Sequence, residues 1–166
     1  INLDLWTSVG PGDSKLGFKL VGADVGSVKV YKNNDNQWTQ IGNEINRDGY
    51  QAVGLKVSLS ENGNILAVSA VNSSSFVVML YQLVDDQWQQ IGNDIATSLN
   101  EFSYHGIATS LSSDGSVLAV GAPWHDNDAG NTENQGNIKV FEHIDGEISQ
   151  VGDTIEAVDD SELGFS

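Results

Sequence analysis

Apolar and polar positions fall into one order twice in this chain. Leu59 to Ala70 reads LSENGNILAVSA and Leu111 to Ala122 reads LSSDGSVLAVGA; Gln37 to Ile45 (QWTQIGNEI) returns at Gln87 to Ile95 (QWQQIGNDI). A recurrence of roughly 50 residues marks a repeat architecture, in which a small unit that cannot bury its own apolar face stacks on copies of itself. Each full unit predicts four short strands. The first, Val53–Ser60 or Gly106–Ser112, runs into Asn62-Gly63 or Asp114-Gly115, pairs that accept the positive φ of tight hairpins. The second, Ile65–Ala70 or Val117–Ala122, is a continuous apolar run, as expected where both faces are covered. In the third, Val28 and Val30 flank Lys29, and Ile138 and Val140 flank Lys139, which predicts a half-exposed strand. The fourth carries a Trp-x-x-Ile-Gly element and ends the unit. No stretch sustains a 3.6-residue apolar period, so helix content should be close to nil.

Units of four antiparallel strands at this spacing predict an all-β fold built from β-propeller blades. The fourth-strand element sets the phase. It occurs at Trp6 to Gly10, Trp38 to Gly42 and Trp88 to Gly92, with a weaker copy at Ile148 to Gly152. The units are then 11–45, 46–95 and 96–155, with the start of another at 156–166. The first interval is short because a hairpin is missing near Leu20–Val21; either the blade lacks it or the sequence omits residues there. About three units fall below the ~4–8 blades of closed propellers. The expectation is a larger ring of about seven blades, with the natural chain continuing beyond both ends, or several copies completing a ring or filament.

The units resemble the FG-GAP repeats of the integrin α-subunit propeller family in a degenerate form. Leu16-Gly17-Phe18, Leu163-Gly164-Phe165-Ser166, Val120-Gly121-Ala122-Pro123 and the strand Gly136 to Phe141 carry the resemblance. It implies a non-catalytic extracellular or cell-surface module of adhesion type, presenting loops to a protein ligand. Many such blades hold calcium in an Asp-x-Asp-x-Asp-Gly loop. Here Ser60 to Asn64 and Ser112 to Ser116 keep the turn with too few carboxylates for an ion that wants six to eight oxygens.

Composition narrows the partners. Seven basic residues against 23 acidic ones give a formal charge of −16, which disfavours nucleic acid and anionic membranes. No apolar run approaches the ~20 residues of a membrane span. The absence of cysteine removes disulfides and thiolate metal sites. No nucleophile elbow, His-Glu-x-x-His pair or P-loop is present, so the sequence reading is that the chain is not an enzyme.

Candidate contact residues lie where the repeat is broken. The loop after the second strand of the last full unit holds Trp124, His125, Asp126 and Asp128, with Glu133 further on. Loops that vary on a constant frame are where binding resides, and Trp124 is the one tryptophan without a repeat counterpart. Asp126, Asp128 and Glu133 offer oxygens for a cation such as Ca²⁺. Trp6, Trp38 and Trp88 share one repeat position and read as filling between blades. Were they exposed in grooves, a lectin-like glycan-binding propeller would be the alternative; a propeller glycosidase is a third reading. His105 and His143 read as structural. Asn72-Ser73-Ser74 forms an N-glycosylation sequon.

Overall fold

The computed structural model describes residues 3–8, 14–21, 25–35, 37–72, 75–98, 108–123 and 136–156, with backbone pairing alone at 3–8, 14–21, 25 and 96–98. Every regular element there is a β-strand. The first sheet contains β1 (Leu3–Ser8), β2 (Ser14–Val21), β3 (Val25–Asn34) and β4 (Gln37–Ile45). The second contains β5 (Val57–Leu59), β6 (Ile65–Val71), β7 (Ser75–Val84) and β8 (Gln87–Ser98). The third contains β9 (Ala108–Leu111), β10 (Val117–Ala122), β11 (Asn137–Ile144), β12 (Glu147–Gln150) and the short β13 (Ile155–Glu156). Each sheet is an antiparallel meander in chain order, with β13 returning to pair β11. The expected all-β architecture of four-stranded blades is what the chain forms.

Side-chain alternation explains how the sheets stack. On β6 and β7, Leu66, Val68, Ala70, Val77, Met79 and Tyr81 point to one face and pack with Val28, Val30 and Ile45 of the first sheet. Ile65, Ala67, Phe76, Val78 and Leu80 point to the other and pack with Leu118 and Val120 of the third. With a period of two, a strand buried on both sides must be apolar at every position. The third-strand alternation expected from Val28-Lys29-Val30 therefore disappears in β7, the third strand of the middle sheet.

The Trp-x-x-Ile-Gly element is a kink inside the outer strand and does not end it. Val30 pairs with Ile41 but Val28 pairs with Ile45, and Leu80 pairs with Ile91 but Val78 with Ile95. Extra residues on one strand of a pair make a bulge, and glycine supplies the left-handed conformation it needs. Gly42, Gly92 and Gly152 take φ of 71, 58 and 71°. Gln40, Gln90 and Gln150 each donate a side-chain hydrogen bond to the carbonyl of that glycine, at 3.1, 3.5 and 3.2 Å. Trp6, assigned by its motif to a fourth strand, lies instead in β1, opposite Gly17 of β2. The first sheet thus has four strands in spite of the short interval.

Candidate functional site

The link from β4 to β5 carries Arg47, the one arginine of the chain, and Tyr50, and lays both against the second sheet. Gln51 and Val71 exchange backbone hydrogen bonds of 2.6 and 2.8 Å, and Gly54 N donates to Ser69 O at 2.9 Å. Between these anchors Ala52 takes φ 49° and Gly54 φ 91°. This reversal plants Val53, 1% exposed, in the core while Tyr50 reaches outward to β8.

Arg47 Nη1 donates to Asp94 Oδ1 at 2.6 Å, to Gln90 Oε1 at 3.1 Å and to Met79 Sδ at 3.2 Å. The guanidinium carbon lies 4.4 Å from the centre of the Tyr50 ring, within cation–π range. Tyr50 donates its hydroxyl to Asp94 Oδ2 at 2.6 Å, and Gln90 Nε2 donates to Oδ1 at 2.8 Å. Both carboxylate oxygens are therefore engaged.

These contacts fix every charge in the cluster. Burial acts to raise the pKa of Asp94, but hydrogen bonds from Tyr50, Arg47 and Gln90 outweigh it and hold the carboxyl below its ordinary value. For Arg47 burial acts to lower the value, and the bond to Asp94 overcomes it. Tyr50 is pushed up by its hydrogen bond to Asp94 and then by burial. Arg47 and Asp94 are thereby held charged and Tyr50 held protonated, so the cluster can position a ligand but is poorly placed to exchange protons.

Two open depressions flank this cluster and share Asn93 and Asp94. One, of about 520 Å³, is lined by Arg47, Gln90 and Gly92 besides these two. The other, about 270 Å³, lies between β8 and the third sheet and includes Lys139, Phe141, Glu147 and Ile148. Its origin is visible in the repeat. Between the first and second sheets the corresponding space is filled by Met79 and Trp88, both buried, where the third sheet has Lys139 and Ile148. A smaller and a charged side chain leave a polar groove.

The residues singled out from the sequence are distributed differently. Trp124, His125, Asp126, Asp128 and Glu133, like His105, lie outside the described residues. Among the described residues, no group of three or more His, Cys, Asp or Glu side chains is placed to hold a metal. His143 sits half-buried on β11, its backbone N–H donating to Ser116 O at 2.9 Å. Trp88 fills the space between sheets, as expected, whereas Trp38 is 39% exposed; Trp6 has no described side chain. The Arg47 cluster was missed. Its signals were a sole arginine in an inter-sheet link and an aspartate at the position where the other units hold Glu44 and Thr154.

No family model and no curated protein matches the chain. Solved structures do. A protein of Bacteroides fragilis described as a "putative 6-phosphogluconolactonase" superposes over 92% of this chain with a TM-score of 0.59 at 16% identity. A protein of Lactobacillus plantarum superposes over 93% with a TM-score of 0.53 at 20% identity. The chain spans 38 and 41% of their respective lengths. At such identities the likeness is one of fold, and it places these stacked meanders among β-propellers. It also overturns the FG-GAP and integrin assignment. The motifs behind that assignment are what four-stranded blades use anyway: Leu16-Gly17-Phe18 lies inside β2, and Gly121-Ala122 closes the tightly packed β10. The expectations of a non-catalytic adhesion module and of a chain that is not an enzyme fall with it, because a solved neighbour along nearly the whole chain is described as a "putative 6-phosphogluconolactonase". The lectin-like alternative called for the repeated tryptophans to be exposed in grooves; Trp88 is buried and Trp38 is 39% exposed, so the two do not form a repeated set of open pockets.

Proposed function

We propose that the propeller to which this chain contributes is a hydrolase acting on a small polyhydroxylated lactone. The observation that carries this reading is the superposition of 92% of the chain on a protein described as a "putative 6-phosphogluconolactonase". In lactone hydrolysis water adds to the ring carbonyl, the ring C–O bond breaks, and the released oxygen takes up a proton to give a hydroxy acid. Such a reaction needs donors near the developing oxyanion and a base for the water. On this rim Arg47 and Asp94 are held in their charged forms, and the part assigned to them is substrate positioning. Arg47 and Lys139, on either side of Asn93 and Asp94, suit the hydroxyls and anionic end of a sugar-acid lactone.

The test is hydrolysis of gluconolactone and its 6-phosphate by the protein carrying this chain, followed by proton release against the spontaneous rate. Turnover above background supports the reading, and no turnover with either lactone sinks it. Arg47→Lys and Lys139→Gln are expected to raise KM with kcat nearly unchanged, the pattern of lost uniform binding. A fall in kcat alone would remove the rim from the positioning role.

A further inference from the structure

We propose that Arg47 holds the carboxylate of the hydroxy acid that lactone hydrolysis releases, so that the site is inhibited by its own product. Naming the acid rests on the hydrolase reading, whereas the carboxylate site rests on the geometry of Arg47. A guanidinium is planar and carries N–H donors on all three nitrogens. Among the described residues, the side-chain hydrogen bonds of Arg47 all leave from one of them, Nη1, to Asp94 Oδ1 at 2.6 Å, Gln90 Oε1 at 3.1 Å and Met79 Sδ at 3.2 Å. Nε–H and an N–H of Nη2 lie side by side on the edge of the plane that Nη1 does not share, and no described residue accepts from them. The side chain is 34% exposed and lines the depression of about 520 Å³ together with Gln90, Gly92, Asn93 and Asp94. Tyr50 fixes the group from a second side, its ring centre 4.4 Å from the guanidinium carbon and its hydroxyl bound to Asp94 Oδ2 at 2.6 Å. A pair of parallel donors is therefore held in place before any ligand arrives.

That pair matches the product better than the substrate. A carboxylate offers two coplanar oxygens to a guanidinium edge, and the charge-assisted bonds so formed are the strong ones. A lactone carbonyl offers one uncharged oxygen. When water adds to that carbonyl, the ring C–O bond breaks and the acid gives up its proton, the released molecule gains the group that the edge is shaped to take. Asp94 sets the strength of the hold. Its carboxylate already balances the charge of Arg47 from 2.6 Å, so a single carboxylate is retained less tightly than by a bare arginine and can still leave. The Asn93 amide on the same wall suits the hydroxyls of the acid.

Binding of gluconate to the protein carrying this chain is measured by calorimetry, with sorbitol as the uncharged control, and gluconate is then added to the lactone assay. Gluconate should bind, sorbitol should not, and the inhibition should be competitive. Arg47→Lys should weaken gluconate binding about tenfold, because an ammonium cannot engage both oxygens in a fixed plane. Asp94→Asn should act in the opposite direction. Its amide oxygen still accepts from Arg47 and its N–H can donate to the Tyr50 oxygen, while the negative charge beside the donor edge is gone, so binding should tighten severalfold. Circular dichroism and melting establish that each variant is folded. A salt bridge that serves structure alone would weaken in both variants; that outcome, equal binding of sorbitol, or gluconate binding indifferent to both substitutions overturns the proposal. Failure of the hydrolase reading looks different: no turnover of either lactone, with gluconate binding still falling in Arg47→Lys and rising in Asp94→Asn, strikes the product role and keeps the carboxylate site.

Discussion

The indole of Trp88 lies directly against the backbone of Gly42, two residues on neighbouring sheets that each occupy a fixed place in the repeat. A Cβ at Gly42 would meet the indole Cδ1 and stand 2.6 Å from Nε1, and the glycine itself has φ 71°. Alanine here suffers both overpacking, typically 1–3 kcal/mol, and a left-handed backbone, roughly 1 kcal/mol. Gly42→Ala should therefore lower the unfolding free energy by about 2–4 kcal/mol in urea titrations. Gly49 is the control. Its φ is 80° with no atom of the described residues within 4 Å of where its Cβ would be, so Gly49→Ala should lose only about 1 kcal/mol. Equal losses would show that the indole gives way freely.

Gly26 meets a harder neighbour. The atoms facing its missing Cβ are the backbone O and N of Val53, the N at 2.7 Å, and Val53 is pinned by hydrogen bonds on both sides of it, from Gln51 to Val71 and from Gly54 to Ser69. A side chain can change rotamer, but this backbone cannot move without giving up buried bonds. Gly26→Ala should destabilise by at least 3 kcal/mol and expose the link that carries Arg47. Faster hydrogen exchange at Gly54 N–H would report that opening, and an unchanged rate would argue against it.

The repeat made the blades legible before any coordinates, because the features that recur are those that build a blade. The apolar β6, the Gln-x-Gly kink and the turns at Gly63 and Gly115 all recur. The role of the turn residues was misread in one respect: Gly63 and Gly115 alone take positive φ, of 74 and 79°, while Asn62 and Asp114 serve as acceptors for flanking hydroxyls and amides. The hairpins between third and fourth strands were not recognised. Asp85-Asp86 and Asp145-Gly146 have positive φ at both positions, the two-residue turn for which Asp-Gly is a known signal. The Arg47 site was illegible for a different reason. Its members come from a link and an outer strand 47 residues apart, and no periodicity relates them; only the fold brings them together.

Asp94 and Tyr50 make stability depend on pH in two windows. The Asp94 carboxyl is held below its ordinary value, so its contribution is complete above about pH 4 and is lost as pH falls through its lower folded pKa. The Tyr50 hydroxyl is held above its ordinary value. Its contribution is complete below about pH 10 and is lost as pH rises through the raised folded pKa. Tyr50→Phe keeps the ring over Arg47 but leaves Asp94 Oδ2 short of a donor, which should cost about 1–2 kcal/mol at neutral pH. It should also flatten the alkaline loss, leaving the part due to Tyr81, whose hydroxyl is raised mainly by burial. Denaturant titrations from neutral to alkaline pH decide the point: parallel curves for wild type and variant would remove Tyr50 from the linkage.

Asp114 offers a sharper acid test because its partners are few and local. Ser112 donates its hydroxyl to Oδ1 at 2.6 Å, and Ser116 donates its backbone N–H at 3.0 Å and its hydroxyl at 2.8 Å. These bonds favour the charged form and lower the carboxyl to about 2. With the folded value depressed, the turn's contribution is present above the ordinary carboxylate pKa of about 4 and is lost as pH falls from there toward 2. Carboxyl carbon shifts followed by NMR through that range should give a midpoint near 2 for the wild type. In Ser112→Ala/Ser116→Ala the two hydroxyls are gone and the amide remains, so the midpoint should rise only part of the way toward 4. A return to the full ordinary value would mean that the amide bond at Ser116 depends on the hydroxyls to hold the turn. A midpoint still near 2 would assign the depression to the surrounding backbone instead.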